Sequence, residues 1–563
     1  MNAPTIFKRF GFANAKLCLF AALLFGLLAC KKQSTPAEEP PVALQLTQFS
    51  VDGIQGLSEY YINNFRPVIQ FQFNTKLDRS TLSNAVRITH PSGTSVPFDI
   101  SLTNGDSVIR VQPQTGGMRS IERYTLRLTT QLKSVRAQQL SQDRSWSLFA
   151  PIDSTPKFPA ITDDSLLTLI QKRTFAYFWD FGHPVSGMAR ERNTSGELVT
   201  TGGTGFGIMS MLIAVERGFI TRSQAYNRIQ TITDFLITKA TRYKGAFAHW
   251  LNGTTGATIP FSANDNGADL VETSFLVMGL LAAREYFNLP AEVSLGQKIT
   301  GIYNAVEWDW FMRDGQQVLY WHWSPDRAWT MNLRIQGWNE CLVTYVLAAG
   351  SPTHTIPATV YQQGWARDGA MRNGNQFYGI TLPLGPQLGG PLFFSHYSFL
   401  GIDPRQLQDV HANYFNQNRA HSLINYQYCV QNPLQRRGYS NACWGLTASD
   451  IPGGYTASSP TNDRGVIAPT AAIGSIPYTP EESMRAIRFF YQVLGDQLWK
   501  EYGFIDAFSI QDNWFASSFL AIDQGPQIIM IENHRSAMMW NLCMKIPEVK
   551  NGLRKLGFSS PHL

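Results

Sequence analysis

The hydrophobic period of this chain changes once, near Asp153, and that change constrains the fold more than any single motif. From Val42 to about Pro151, apolar residues recur at every second position, in runs such as Pro67-Val-Ile-Gln-Phe-Gln-Phe73, Ser107-Val-Ile-Arg-Val-Gln112 and Tyr124-Thr-Leu-Arg-Leu-Thr129. Successive side chains on a strand face opposite ways, so this pattern predicts half-buried strands, with turns at the intervening Gly, Asn, Asp and Pro residues. About seven short strands over residues 42–152 suit a small immunoglobulin-like β-sandwich. It contains no acid pair or nucleophile, which makes a spacer or packing role the expectation rather than independent carbohydrate binding.

After the linker Asp153 to Pro159 the period becomes helical and stays so to the C-terminus. Helices are predicted over Leu166 to Phe181, Gly205 to Arg217, Arg222 to Thr241, Gly267 to Phe287, Ser294 to Met312, Asn332 to Ala349, Pro404 to Tyr426, Pro480 to Leu494 and Pro526 to Trp540. Long loops rich in Gly, aromatic and polar residues separate them. Roughly 400 residues of helix hairpins without a short solenoid repeat predict a mainly α domain over residues 158–563. The expected architecture is a closed double ring of helices, an (α/α)6 barrel, with loops at one end lining a cavity.

The N-terminus addresses the compartment. Lys8, Arg9 and Lys16 precede the apolar run Leu17 to Leu28, which ends in Leu27-Leu-Ala-Cys30. The run is too short for a stable span. The reading is a lipoprotein signal over residues 1–29, with acylation of Cys30 and a Pro-rich tether over residues 30–41. A chain so anchored is expected in the periplasm or at the cell surface, on the outer membrane.

The formal charge of +6 includes the three signal cations, so +3 remains and no basic stripe is left to track phosphates. Cys341, Cys429, Cys443 and Cys543 lack zinc-type spacing. Cys429 with Cys443 could form a disulfide, and buried free thiols are the alternative. The chain carries 14 Trp, 21 Tyr and 35 Phe. Beside carboxylates, such faces suit sugar rings, whose C–H faces stack on aromatics.

Acids at the mouths of apolar helices carry the chemistry. Asp265, Asp269 and Glu272 precede or open the run Leu270 to Ala283, and Glu340 opens the run Cys341 to Ala349. Partial desolvation and helix dipoles separate the pKa values of such groups, as acid/base catalysis requires. The bland reading makes Asp269 an N-cap and Glu272 its capping-box partner. It leaves Asp265 unexplained. Glycoside hydrolysis needs one protonated carboxyl and a second carboxylate, and these four acids are the catalytic candidates. Asp269 and Glu272 share a helix, so Glu340 is the favoured partner from elsewhere. Glu532 is a lower-ranked candidate, with a structural pairing to Arg535 as its alternative. Arg190, Arg192, His249, Trp250, Tyr320, Trp321, Trp338, Tyr397 and Trp514 are the expected sugar contacts. Val199-Thr-Thr-Gly-Gly-Thr-Gly-Phe-Gly207 lacks the Lys and preceding strand of a phosphate loop, and is read as a tight turn lining the cleft.

Several ordered segments carry a resemblance: Lys172 to Asp180, Gly187 to Asn193, Val199 to Ile208, His249 to Gly253, Asp265 to Glu272 and Asp523 to Asn533. They resemble the glucoamylase-like domain, and more closely glycoside hydrolase family 144, the bacterial β-1,2-glucanases, over roughly Phe158 to the C-terminus. The resemblance implies an (α/α)6 barrel that cleaves β-1,2-glucan with inversion and without metal or organic cofactor. An endo-acting enzyme releasing sophoro-oligosaccharides is expected. The alternatives are an exo enzyme releasing sophorose, a phosphorylase, and a non-catalytic glycan-binding lipoprotein.

Overall fold

The computed structural model describes residues 42–563; the expected signal, Cys30 and the tether lie outside them. The first part contains nine strands: β1 (Leu46–Val51), β2 (Ile54–Gln55), β3 (Glu59–Tyr61), β4 (Ile69–Phe73), β5 (Val86–Thr89), β6 (Phe98–Thr103), β7 (Val108–Pro113), β8 (Arg123–Leu128) and β9 (Arg144–Phe149). They form two sheets, in the order β2-β1-β4-β7-β6 and β3-β9-β8-β5. All pairs are antiparallel except β3 with β9. The two-residue period has the expected consequence: Ile69, Phe71 and Phe73 of β4 point inward while Gln70 and Gln72 face solvent. With Val86, Ile88, Ile109, Val111, Leu126 and Leu128 they build a core of their own.

Helices follow: α1 (Asp163–Trp179), α2 (Thr201–Glu216), α3 (Arg222–Thr238), α4 (Leu270–Tyr286), α5 (Val293–Asn304), α6 (Leu342–Gly350), α7 (Tyr414–Gln431), α8 (Pro469–Gly474), α9 (Pro480–Arg488), α10 (Ala521–Ser536), α11 (Met538–Cys543) and α12 (Pro547–Lys555). They share a second core. Helix α2 is buried on every side from Thr201 to Ala214, and α4 from Leu270 to Ala283. The two cross with their backbones touching, because Gly205 and Gly279 meet there without side chains. Helix α10 packs on α1, α2 and α8, and α12 on α6. Among the described residues no helix is long and apolar enough to cross a membrane.

The β part is fastened to the helical part. The Arg437 guanidinium lies 5.4 Å from the Tyr61 ring and 5.5 Å from that of Phe149, and donates to the Ala150 carbonyl. Asn513 donates to Glu122 at 2.9 Å.

Several helix ends differ from the periodicity. The apolar pattern of Asn332 to Ala349 becomes helix only from Leu342, and that of Pro404 to Tyr426 only from Tyr414, where Asn413 caps the first turn. The Ser294 to Met312 segment breaks after Asn304, and the last long one begins early, at Ala521, and ends where Ala537 adopts φ +57°. Periodicity reports burial, and buried loop residues imitate it. Val199 to Gly207 is no turn lining a cleft. It is a short strand leading into the first turns of α2, and its glycines are packing positions: a Cβ on Gly205 would fall 2.2 Å from the Phe275 carbonyl oxygen. Cys341, Cys429, Cys443 and Cys543 are all buried free thiols, so Cys429 and Cys443 form no disulfide.

Candidate active site

Short ladders of two or three residues deliver the site residues to the helix mouths. Strand β10 (Leu198–Thr200) pairs with β11 (Trp250–Asn252), which places His249 beside the start of α2. Strand β12 (Ala268–Asp269) pairs with β13 (His322–Trp323) in the register Asp269↔His322.

Asp269 is the N-cap of α4: one carboxylate oxygen accepts from the backbone N–H groups of Val271 and Glu272 at 3.0 and 2.9 Å. Its other oxygen meets His249 Nδ1 at 3.1 Å and His322 Nδ1 at 3.7 Å. Glu272 forms no capping box. It reaches across to α2 and accepts from Gly202 N at 2.8 Å, with His249 Nε2 at 3.9 Å. Asp265 lies 3.2 Å from His322 Nδ1. Two imidazoles thus stand among three buried carboxylates. Burial alone would discharge His249, but Glu272 and the hydrogen bond to Asp269 push it up to about 9. Burial likewise opposes charge on His322, and Asp265 with Asp269 raises it. Asp269, for which burial acts upward, is nonetheless held below the usual carboxylate range by His249 and His322. Asp265, Asp269 and His322 offer three ligand atoms within 4.8 Å of one another. A divalent cation entering there would compete with the proton on His322.

Glu340 sits just before α6, whose N-cap is Cys341 without a side-chain cap; Asn339 accepts from Cys341 N at 3.0 Å in the turn that precedes the helix. Ser398 holds the Glu340 backbone carbonyl. The carboxyl itself receives no donor from another side chain among the described residues. Burial, with Glu272 and Asp269 adding, raises it to about 7. Glu272 is raised as well, by burial, although His249 opposes this.

A second acid cluster, missed in the sequence reading, faces the first. Arg192 donates to Glu191 at 2.9 Å and to Asp450 at 3.2 Å. Asp450 lies on β14 (Ala448–Ile451), which forms a hairpin with β15 (Gly454–Ala457). Its backbone N–H donates to Asp506 at 2.7 Å; Asp506 and Asp523, the latter in the first turn of α10, each bury a carboxylate oxygen that has no hydrogen-bond partner, and burial raises both above the usual carboxylate range. Tyr397, packed on Phe206 and Phe275, is close enough to feel the charges of Asp523, Glu340 and Glu272. The mouths of α2, α4, α6 and α10 therefore converge. Beside the second cluster opens a cavity of about 560 Å³ lined by Arg192, Asp450, Gly453, Tyr455, Trp514 and Ser518.

The expected sugar contacts divide. His249, Trp250, Trp321, Tyr397, Arg192 and Trp514 lie at or beside these clusters; Phe261, half exposed, stacks on His249 at 4.4 Å and packs on Trp250 at 4.7 Å. Trp338 is buried against Trp365, Phe399 and Tyr414. Tyr320 is buried too, bonded to Gln316 and Arg334. Arg190 holds the carbonyls of Phe181 and Gly196. Glu532 is no site residue and its partner is not Arg535. It takes both Arg217 nitrogens at 2.7 Å, with Gln171 and Ser536, at the opposite end of α10, while Arg535 bonds Asp164. The missed residues had one signal: Asp506 stands alone inside the apolar run Gly503-Phe-Ile-Asp-Ala-Phe508.

Comparison with known proteins identifies the family. The family model described as "Glycoamylase: Putative glucoamylase" matches residues 332–547. An exo β-1,2-glucooligosaccharide sophorohydrolase (non-reducing end) of Parabacteroides distasonis is 44% identical over 421 residues, 70% of this chain; the chain spans 58% of that relative's length. The endo-β-1,2-glucanase of Chitinophaga pinensis, solved with sophorotriose and glucose, is 48% identical and superposes with a TM-score of 0.70 over 72% of this chain and 100% of its own. A β-1,2-glucanase structure from Parabacteroides distasonis, 36% identical with a TM-score of 0.69, covers 93% of this chain and 74% of its own. With 48% identity over the whole of a solved relative, the chain belongs to the glucoamylase-like family of bacterial β-1,2-glucanases, glycoside hydrolase family 144.

Proposed function

We propose that this chain hydrolyses β-1,2-glucan by single-displacement inversion, with Glu340 as general acid. One observation carries the assignment: a buried carboxyl without a side-chain donor, raised to about 7, beside carboxylates that are already tied to histidines and helix N–H groups. Such a group keeps its proton near neutrality and has a free oxygen with which to meet the leaving glycosidic oxygen. Asp265, Asp269 and Glu272, with His249 and His322, form the charged bed that orients the sugar; the water-activating carboxylate comes from the second acid cluster. As C1–O cleaves, the Glu340 proton passes to the leaving oxygen, and a water attacking C1 from the other face gives its proton to that carboxylate. Trp250, Trp321 and Trp514 supply stacking faces. An (α/α)6 barrel over residues 158–563 accounts for helix mouths converging at one end, and the β part over residues 42–152 serves as an Ig-like spacer.

Endo action is the leading reading, supported by the full-length match to an endo enzyme. Exo release of sophorose is the second, favoured by a curated exo relative that is 44% identical over 421 residues. A time course of β-1,2-glucan digestion, with and without inorganic phosphate, separates them. A ladder of sophoro-oligosaccharides from the first minutes means endo action, sophorose alone means exo action, and phosphate dependence means a phosphorylase. No cleavage would refute the proposal. Activity is expected to fall as pH rises through about 7, because Glu340 loses the proton it must donate. An alkaline limb more than two units higher would place the acid elsewhere.

We propose in addition that Cys30 anchors the protein to the outer membrane, as the residues before it lead one to expect. Cys30→Ser is expected to move the protein from the membrane fraction to the soluble fraction with its specific activity unchanged; a variant that stays with the membrane refutes the anchor.

A further inference from the structure

We propose that Glu122 of the β part is a positioning residue for glycan binding: by holding Asn513 at the tip of a hairpin, it sets the place of Trp514 in the cavity beside the second acid cluster. The ligand, a β-1,2-linked glucan, rests on the hydrolase reading above; the hold on the hairpin does not.

The hairpin runs from Asp506 to Ser518. Strand β16 (Phe508–Ser509) pairs with β17 (Trp514–Phe515), and two further N–H groups extend the ladder, Ala516 to Ala507 and Asp506 to Ser518, at 2.9 Å each. Its open end belongs to the site. Ser518 donates to Asp450 at 2.5 Å, and Trp514 and Ser518 line the cavity of about 560 Å³. Asn193 fastens that end separately, donating to the Ser517 carbonyl and accepting from Phe519 N, both at 3.0 Å. The closed end, Ile510 to Asn513, is another matter: a two-stranded ladder this short does not hold its own geometry in water, so the tip needs outside support.

The β part supplies that support at adjoining points. Asn513, at φ +49°, donates through its side-chain amide to Glu122 at 2.9 Å. The same Glu122 oxygen stands 3.4 Å from His90 Nε2. Ser92 N–H donates to His90 Nδ1 at 3.1 Å, which leaves Nε2 as the protonated nitrogen, facing Glu122. Arg437, tied to Tyr61, Phe149 and Ala150, precedes Gly438, and a Cβ on Gly438 would fall 2.6 Å from Ile510 Cδ1, so this loop packs against the hairpin tip. Ile121 leaves the β core altogether. It is 3% exposed within the core of the helical part, at φ +69°, a conformation that a β-branched residue rarely adopts and that its surroundings must impose. Ile121, Glu122, Asn513 and Phe515 line a cavity of about 220 Å³ between the two parts, and Phe515 lines the site cavity as well.

A part that only spaced the helices from an anchor would need no such wedge. Here the strained turn at Ile121 and the acid beside it meet a segment that carries Trp514 into the site, one residue from the hydrogen bond. Without Glu122 the tip regains torsional freedom, and Trp514 must be ordered anew each time glycan binds. Glu340 and the open end of the hairpin have their own fastenings. Affinity should therefore fall while the chemical step is kept.

The test uses the full-length protein. Glu122→Ala is expected to raise KM for sophoro-oligosaccharides on the order of 10-fold, the scale of one lost aromatic contact, with kcat within about threefold and Tm within about 3 °C. Glu122→Gln, which keeps a carbonyl acceptor for the Asn513 amide, is expected to bring KM back to within about twofold of the parent. Because Glu122 acts through Trp514, adding Glu122→Ala to Trp514→Ala should change KM no further. Independent effects of those two substitutions, a Glu122→Gln protein as weak as Glu122→Ala, or a fall in Tm and kcat in parallel with the rise in KM would each overturn the positioning role. Should Glu122→Ala fail to fold, Asn513→Gly removes the same hydrogen bond from the other side at a φ that glycine accepts, and the same rise in KM is required of it. Hydrogen exchange read without glycan separates this role from the hydrolase reading: Glu122→Ala must speed exchange of the Asn513 and Ala516 amides. If it does so while the parent cleaves no β-1,2-glucan, the hydrolase reading falls and the hold on the hairpin stands. If exchange is unchanged, the hold falls whatever the substrate.

Discussion

Glu340→Gln is expected to reduce kcat on β-1,2-glucan by on the order of 10² to 10⁴ while leaving KM nearly unchanged. That corresponds to about 2.7–5.5 kcal/mol of lost transition-state stabilisation. The amide keeps the volume and one hydrogen-bond donor of the protonated carboxyl but cannot deliver a proton to the leaving oxygen. Folding should not suffer, since among the described residues no side chain donates to this carboxyl and α6 starts from Cys341 without a side-chain cap. The pH profile should also lose the limb near 7 that Glu340 produces. Single-turnover kinetics on a defined sophoro-oligosaccharide would read both effects. A decline smaller than tenfold, or one confined to KM, would make Glu340 a sugar contact and move the acid to Glu272.

The second large effect is expected in stability. Gly205→Val should prevent soluble expression or lower stability by at least the upper end of the roughly 1–3 kcal/mol overpacking range. Its Cβ would meet the Phe275 carbonyl oxygen at 2.2 Å, and a Cβ on Gly279 would meet the Gly205 carbonyl oxygen at 2.3 Å. Both obstacles are backbone, so no rotamer relieves them. The helices would have to separate, and with them the Glu272–Gly202 hydrogen bond that ties the mouths of α2 and α4. Gly301→Ala is the control. Nothing lies within 4 Å of its Cβ position on α5, and alanine in a helix is favoured over glycine by up to about 1 kcal/mol. Thermal melts of the two variants should therefore move in opposite directions. A Gly205→Val protein that melts with the wild type would mean that α2 and α4 do not cross as described.

What could be read from the sequence is what short-range physics controls. Alternation along β4 produced a strand with Phe71 inward and Gln72 outward, since a strand has only two faces. Asp269 became an N-cap because its oxygen reaches N–H groups two and three residues on. An apolar run beginning at Leu270 had to be buried all round. The tertiary structure decided everything that depends on long separations. Glu272 looked like half of a capping box, yet its carboxylate crosses 70 residues of chain to Gly202. Glu532 looked poised for Arg535 three residues away, yet Arg217, 315 residues distant, takes it. His322 became a site residue through a ladder only two residues long, and Asp450, Asp506 and Asp523 became a cluster only where a hairpin, a loop and a helix mouth meet. Sequence carries the residue types and their local preferences. Which buried acid finds a cation, a backbone N–H or a second acid is settled by helix crossings that no local pattern encodes, and those partners, through desolvation and charge, decide which carboxyl keeps its proton.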